Sequence, residues 1–290
     1  MKRRIYSVLS FMLLLAIHSN AYAQFSINIV NTNEALKAEP IDDVIFTVQY
    51  ELSSIGDTLN PDKKTDETMV LKIGKKNSVF YSYARFLTDS IIEIDKKTGA
   101  SVNVISNHLK QYKAKVNYKL YKNYPEGKTT YTDQLGMNRF ICEEKIALPK
   151  WTLLPDTMTI HSYLCEKATC NYLGRTYEAW YTTDIPRSEG PWKLQGLPGL
   201  ILKAEDTQGH YKFDCSGIQQ SRGDKDKIMF SADGYEPISR KDLNKLYARF
   251  AADPVGYITN TAPNVKIVIQ GDDGKPAKDP KDTPFNPIER

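Results

Sequence analysis

The sequence predicts a mainly β, α+β fold: one curved antiparallel meander sheet or half-barrel, with one or two helices packed on it. Three observations carry this. Segments of alternating apolar and polar residues follow one another at hairpin spacing, divided by Gly, Pro and Asn turns. Tyrosine is abundant (18 residues), which suits a pleated, half-buried surface. The strand–helix–strand rhythm that builds a parallel sheet is missing. A two-sheet β-sandwich is the alternative architecture.

Taken in order, Asp42–Leu52 alternates at Val44, Phe46, Val48 and Tyr50 and reads as a strand. Polar residues 57–66, with Asn60-Pro61, read as a loop. Met69–Ile73 and Ser78–Tyr83 form two strands around the Gly74-Lys75-Lys76-Asn77 turn. Residues 84–98 fit either a helix through Phe86, Leu87, Ile91 and Ile94 or a short strand at Ile91–Ile94. Val116–Leu120 and Lys128–Tyr131 flank a Tyr124-Pro125-Glu126-Gly127 turn. Arg139–Ile146, Met158–Cys170 and Thr176–Thr183 continue the series. Leu200–Ala204 and His210–Ile218 pair around Asp206-Thr207-Gln208-Gly209. One helix is expected after Ser239, a plausible N-cap with Asp242 three residues on. Leu243, Leu246, Tyr247 and Phe250 make its apolar stripe, and Asp253-Pro254 stops it.

The beginning of the chain has the parts of a secretory signal peptide. Lys2, Arg3 and Arg4 precede an apolar run from Val8 to Ile17, and Ala21-Tyr22-Ala23 is a small-x-small cleavage pattern. That run is too short to span a bilayer, which takes about 20 apolar residues. The expected division is therefore residues 1–23 as leader, 24–270 as a single β-rich domain, and 271–290 as a Pro/Lys/Asp/Gly-rich tail, flexible or laid over the surface without regular structure. Without the leader's three basic residues, 36 Lys and Arg face 35 Asp and Glu. A near-neutral chain is poorly suited to phosphate-backbone binding, so no nucleic-acid partner is expected, and no transmembrane segment follows the leader.

Cys142, Cys165, Cys170 and Cys215 make an even count, which in an oxidising compartment reads as two disulfides with three pairings open. Cys165 and Cys170, at an odd offset on one strand, would sit about 17 Å apart on opposite faces. A hairpin of 138–148 with 158–170, around a loop at Trp151–Asp156, would set Cys142 opposite Cys165, leaving Cys170 for Cys215. A metal site on His161, Cys165 and Cys170 matches no zinc spacing.

The most distinctive stretch runs from Cys165 to Asp206. Its irregular part, 184–199, holds Pro186, Gly190, Pro191, Gly196, Pro198 and Gly199, and connections of that length are often functional. Pro198-Gly199 suits the centre of a type II turn that launches Leu200 and Ile201 into the sheet. Trp180, Tyr181, Arg187, Trp192 and Leu197 are the candidate ligand- or partner-binding residues there, with a shape-setting turn as the plainer reading. Arg175 either holds a carboxylate ligand or pairs with a nearby acid.

The hexapeptide Gly196-Leu197-Pro198-Gly199-Leu200-Ile201 resembles the motif of the GLPGLI family, found in the Bacteroidetes lineage. The likeness extends through Cys165, Ala168, Gly174-Arg175, Ala179-Trp180-Tyr181-Thr182, Ile185-Pro186 and Gly190-Pro191. It reappears at Asn286-Pro287-Ile288-Glu289. Arg290 at the end, and Cys142 and Cys215, depart from the pattern. The resemblance implies export to the periplasm or cell envelope and supplies no reaction. The expected architecture is also similar to the half-barrels of periplasmic lipoprotein carriers, an analogy of fold alone.

No G-x-S-x-G elbow, H-E-x-x-H helix or phosphate loop is present, and His108, His161 and His210 lack partners at diagnostic spacing. The functional expectation is an exported, non-enzymatic binding or accessory protein. It would serve an apolar, lipid-like or peptide ligand, or an outer-membrane protein, and would use no cofactor or metal. The alternative is a periplasmic hydrolase with an unrecognised site, for which His161, His210 and Arg175 are the residues to test.

Overall fold

The computed structural model describes residues 9–17, 21–29, 38–112, 114–221, 226–261, 266–271 and 285–290. In chain order the elements are β1 (Leu9–Ile17), β2 (Ala21–Ile29), β3 (Glu39–Asp43), β4 (Phe46–Ile55), β5 (Lys64–Ile73), β6 (Ser78–Ser82), α1 (Tyr83–Thr98) and α2 (Val102–Gln111). There follow β7 (Lys119–Lys122), β8 (Lys128–Leu135), β9 (Asn138–Lys145), β10 (Thr152–Ile160), β11 (Tyr163–Tyr172), β12 (Arg175–Thr182), β13 (Leu200–Asp206) and β14 (Tyr211–Gln220). The chain then adds β15 (Lys227–Phe230), β16 (Glu236–Pro237), α3 (Arg240–Ala252), α4 (Pro254–Thr261) and β17 (Lys266–Gly271). Much of the expected leader lies in β1 and β2, which with β17 form a separate three-stranded antiparallel sheet; residues 1–8 and 18–20 lie outside the described residues.

Twelve strands form one sheet in the order β10-β11-β12-β13-β14-β4-β5-β6-β7-β8-β9-β16. Every pairing is antiparallel except the two-residue contact of β16 with β9. Two meanders, β4–β9 and β10–β14, thus join through β14 and β4. The sheet cannot be flat. β9 and β10 are ten strand positions apart, about 48 Å in a flat sheet. They are nonetheless consecutive in the chain, and residues 146–151 reach at most about 25 Å. The sheet therefore rolls without closing, since no ladder joins β10 to β9 among the described residues. A single rolled sheet replaces the sandwich alternative.

Val48, Tyr50 and Leu52 alternate inward and meet Leu71, Met69, Phe80 and Phe213 in the main core. Val70, Val79, Tyr81 and Tyr121 face the other way and are covered by Val44 and Ile228 beside the β3–β15 ribbon. Residues 83–98 resolve as helix, whose sixteen-residue length exceeds that of a typical strand. Ser239 caps α3, its Oγ accepting from the Asp242 amide at 3.2 Å, and Leu243 is buried beneath it. No described helix is long and apolar enough to cross a membrane.

One expected loop is a strand. Residues 152–156 belong to β10, which pairs with β11 through a turn at His161-Ser162, while β9 pairs with β8. The hairpin of 138–148 with 158–170 does not form, and the Cys142–Cys165 disulfide falls with it. Tyr131 stands opposite Cys142, Met158 opposite Cys165, Tyr177 opposite Cys170 and Tyr50 opposite Cys215. All four thiols are buried and unjoined, so neither that bond nor Cys170–Cys215 is present. Burial pushes Cys165 and Cys215 up to about 11 and Cys170 to about 12.

Candidate functional site

The irregular connection between β12 and β13 lies inside the roll. Ile185, Trp192, Leu194 and Leu197 are buried in the main core. Its backbone satisfies itself locally: Arg187 N–H donates to Ile185 O, Leu194 N–H to Pro191 O and Ile201 N–H to Glu189 O. Self-sufficient polar groups are what allow a segment without regular structure to be buried.

Side chains bolt it to distant strands. Glu189 accepts from Ser78 Oγ of β6 at 2.9 Å and from Lys122 Nζ of β7 at 2.7 Å, and Lys122 Nζ also donates to Gly190 O at 2.7 Å. The Lys122 side chain is only 2% exposed, so this is a buried ion pair. Lys193 reaches Glu144 of β9 at 2.9 Å. The Trp192 ring meets Tyr172 of β11 and Tyr177 of β12 at 5.9 and 6.1 Å. One short segment thus touches both ends of the strand order.

The motif glycines follow from this packing. A Cβ on Gly199 would lie 1.9 Å from Thr182 O, and one on Gly190 would lie 2.7 Å from Leu194 O. Gly199 does not take the positive φ of a type II turn; the left-handed glycine is Gly196, at φ +98°. The expected turn type is therefore wrong, and close backbone approach is what requires Gly199.

A second feature joins the start of the signature to residues 285–290. The Arg175 side chain is 1% exposed and pairs with equally buried Asp206 at 2.5 Å. Its Nη2 donates to Asn286 Oδ1 at 2.7 Å and to Pro287 O at 2.5 Å, and its Nε to Ile288 O at 3.2 Å. The guanidinium stacks over Tyr211 at 4.7 Å. Glu289 pairs with Lys193 at 2.5 Å and with Arg240 at 3.6 Å. Residues 285–290 are therefore docked without regular structure, the second of the two arrangements expected for the tail; residues 272–284 lie outside the described residues.

Beside α3, Tyr247 Oη donates to Asp133 Oδ2 and the Gln134 amide donates to Oδ1. Burial raises Asp133 to about 6, opposed by those bonds and by Arg85 and Arg240. Tyr118 stacks on Tyr131 at 5.0 Å within the same cluster.

These placements separate the expected binding residues. Trp192, Leu197 and Tyr181 are buried, Tyr181 donating to Glu166 at 2.6 Å. Trp180 is half-buried beside Lys167, and Arg187 lies over Phe46. They do not converge on one exposed surface, because the connection turns inward. Pro186 and Pro198 are exposed, while Pro191, Leu200 and Ile201 are buried. Gly174 takes φ +82° in the β11–β12 turn and packs on Arg290. His161 Nε2 lies 2.6 Å from Cys215 O, and His210 Nδ1 lies 3.5 Å from Arg175 Nη1. No group of His, Cys, Asp and Glu suited to a metal occurs among the described residues. Sequence reasoning missed Lys122, Glu189, Lys193 and Asp206, whose partners are remote in the chain. Asn286–Glu289 was visible as a motif, but not as the counterpart of Arg175.

No curated protein matches the sequence. Two solved structures of PNGF-II, in P21 and C2 space groups, are similar at 14% and 13% identity with TM-scores of 0.46 and 0.43. They cover 70% and 69% of this chain, which spans about a third of their length (32%), and at that overlap the likeness transfers neither activity nor partner. Residues 173–203 match a family described as "Protein of unknown function (Porph_ging)", a stretch that runs from the β11–β12 turn through the buried connection into β13.

Proposed function

We propose that this chain is an exported, non-catalytic cell-envelope protein that docks on a β-rich partner, such as an outer-membrane protein, through the free edge of β10. The observation that carries the reading is the contrast between a filled interior and an open edge. The roll contains its own connection, whose Ile185, Trp192, Leu194 and Leu197 are buried in the core, and Arg175 spends its donors on Asp206 and on residues 286–288. β10 stands at the end of the strand order with no second partner strand among the described residues.

Leu153 and Leu164, in β10 and β11, and nearby Leu148 are 57%, 62% and 57% exposed. Pro155 and Asp156 sit in a bulge that interrupts the ladder and guards half of the edge. Thr157–Ile160 supply the remaining free backbone groups, the arrangement used when a partner adds a strand. The leader pattern supports the assignment to the envelope.

Photo-crosslinkers at Thr157 and Thr159 in cells test this. One discrete cross-linked β-rich envelope protein is expected, and Thr159→Pro is expected to abolish it. Turnover of an ester, glycoside or peptide substrate that disappears with alanine at His161 or His210 would instead establish the hydrolase reading.

A further inference from the structure

We propose that Arg175, Asp206, Lys193 and Arg240 form a peptide-binding site that reads a carboxamide and a carboxylate three residues apart, takes such a peptide in trans, and here holds residues 285–290 as its occupant.

The segment is held as a ligand is held. It contains no strand or helix, and no ladder ties it to the sheet. Two of its polar side chains, Asn286 and Glu289, are read by groups of the body, while the third, Arg290, donates to Asn286 Oδ1 within the segment at 2.8 Å. Asn286 Nδ2 donates to Ile55 O at 2.6 Å, its Oδ1 accepts from Arg175, and its backbone oxygen accepts from Tyr211 Oη at 2.8 Å. Glu289 sits between Lys193 and Arg240. The Arg290 amide donates to Leu173 O at 3.0 Å.

The reading groups have partners of their own within the body, so the site is organised without the peptide. Asp206 and the Tyr211 ring hold Arg175, and Asp206 in turn accepts from the His210 and Tyr211 amides at 2.6 and 3.1 Å. Glu144 holds both Lys193 and Arg240, at 2.9 and 2.8 Å. Such preorganisation lowers the ordering cost of binding. An alanine at position 286 takes the side-chain acceptor from an Arg175 donor, and a loss of charge at 289 leaves two cations sharing the single carboxylate of Glu144, which is a basis for selectivity.

The test uses the full chain with a protease site placed within residues 272–284. After cleavage, a fluorescent synthetic peptide of residues 285–290 is added, with near-UV circular dichroism recorded alongside. Saturable uptake by the folded, cleaved chain is expected. Peptides carrying Asn286→Ala or Glu289→Gln should bind about tenfold or more weakly. The uncut chain should resist micromolar peptide, because its tether holds the segment at millimolar effective concentration. A cleaved chain that stays folded and takes up no peptide, or takes all three equally, overturns the proposal. So does loss of fold on cleavage, which would make the segment a structural part and not an exchangeable ligand.

Discussion

Between Thr183 and Gly199 the chain has no strand or helix, yet its large side chains are buried; between Thr152 and Ile160 it is a regular strand, yet most of it is exposed. The connection is buried because its amides and carbonyls meet one another and because Glu189, Lys193 and Trp192 find partners on β6, β7, β9, β11 and β12. β10 is exposed because it ends the strand order. Regular structure and burial are separate properties here, and strand order decides the second.

The connection should be the more fragile of the two. Glu189→Ala leaves Lys122 charged and buried, and should cost about 4 kcal/mol in denaturant unfolding; a loss under 1 kcal/mol would mean that the connection is not bolted to β7. Gly199→Ala pushes a methyl group into Thr182 O and should cost about 3 kcal/mol through backbone displacement.

The Asp133 anchor of α3 should show itself through pH. An unfolded aspartate titrates near 3.8, whereas this one is held at about 6. Between those values the folded state keeps a proton that the unfolded state releases. The resulting stability is fully present below about pH 4 and lost as pH rises past 6, a change of about 3 kcal/mol. Asp133→Asn should flatten that slope, as measured by urea midpoints from pH 4 to 7. Parallel curves for variant and parent would refute the assignment.

The smallest effect belongs to the exposed strand. Leu153→Lys should change stability by less than about 0.5 kcal/mol while abolishing the envelope cross-link. A large destabilisation would show that β10 is covered within the chain itself. Non-reducing peptide mapping should find no Cys142–Cys165 link, since those residues face Tyr131 and Met158 on strands that are not neighbours.

Local chemistry made much of the fold legible. Local pattern revealed Val48 and Tyr50 as one face of a strand, Gly74–Asn77 as a hairpin turn, and Ser239 as a helix cap. It failed at Thr152–Asp156, where Pro155 and Asp156 form a bulge within a strand and read as loop residues. The candidate site was legible as a motif only: its glycines and prolines marked an unusual backbone, but nothing in them says which way that backbone turns.

By itself, then, the sequence determined most strands of the large sheet, where several hairpins turn and where α3 begins, because each depends on residues within a few positions of one another. Tertiary structure decided that β14 pairs with β4, that the sheet rolls, that the Gly/Pro connection fills the roll and that Arg175 holds Asn286. Those outcomes join groups about 50 to 175 residues apart, and a pattern with a period of two carries no information about which distant partner a buried charge will meet.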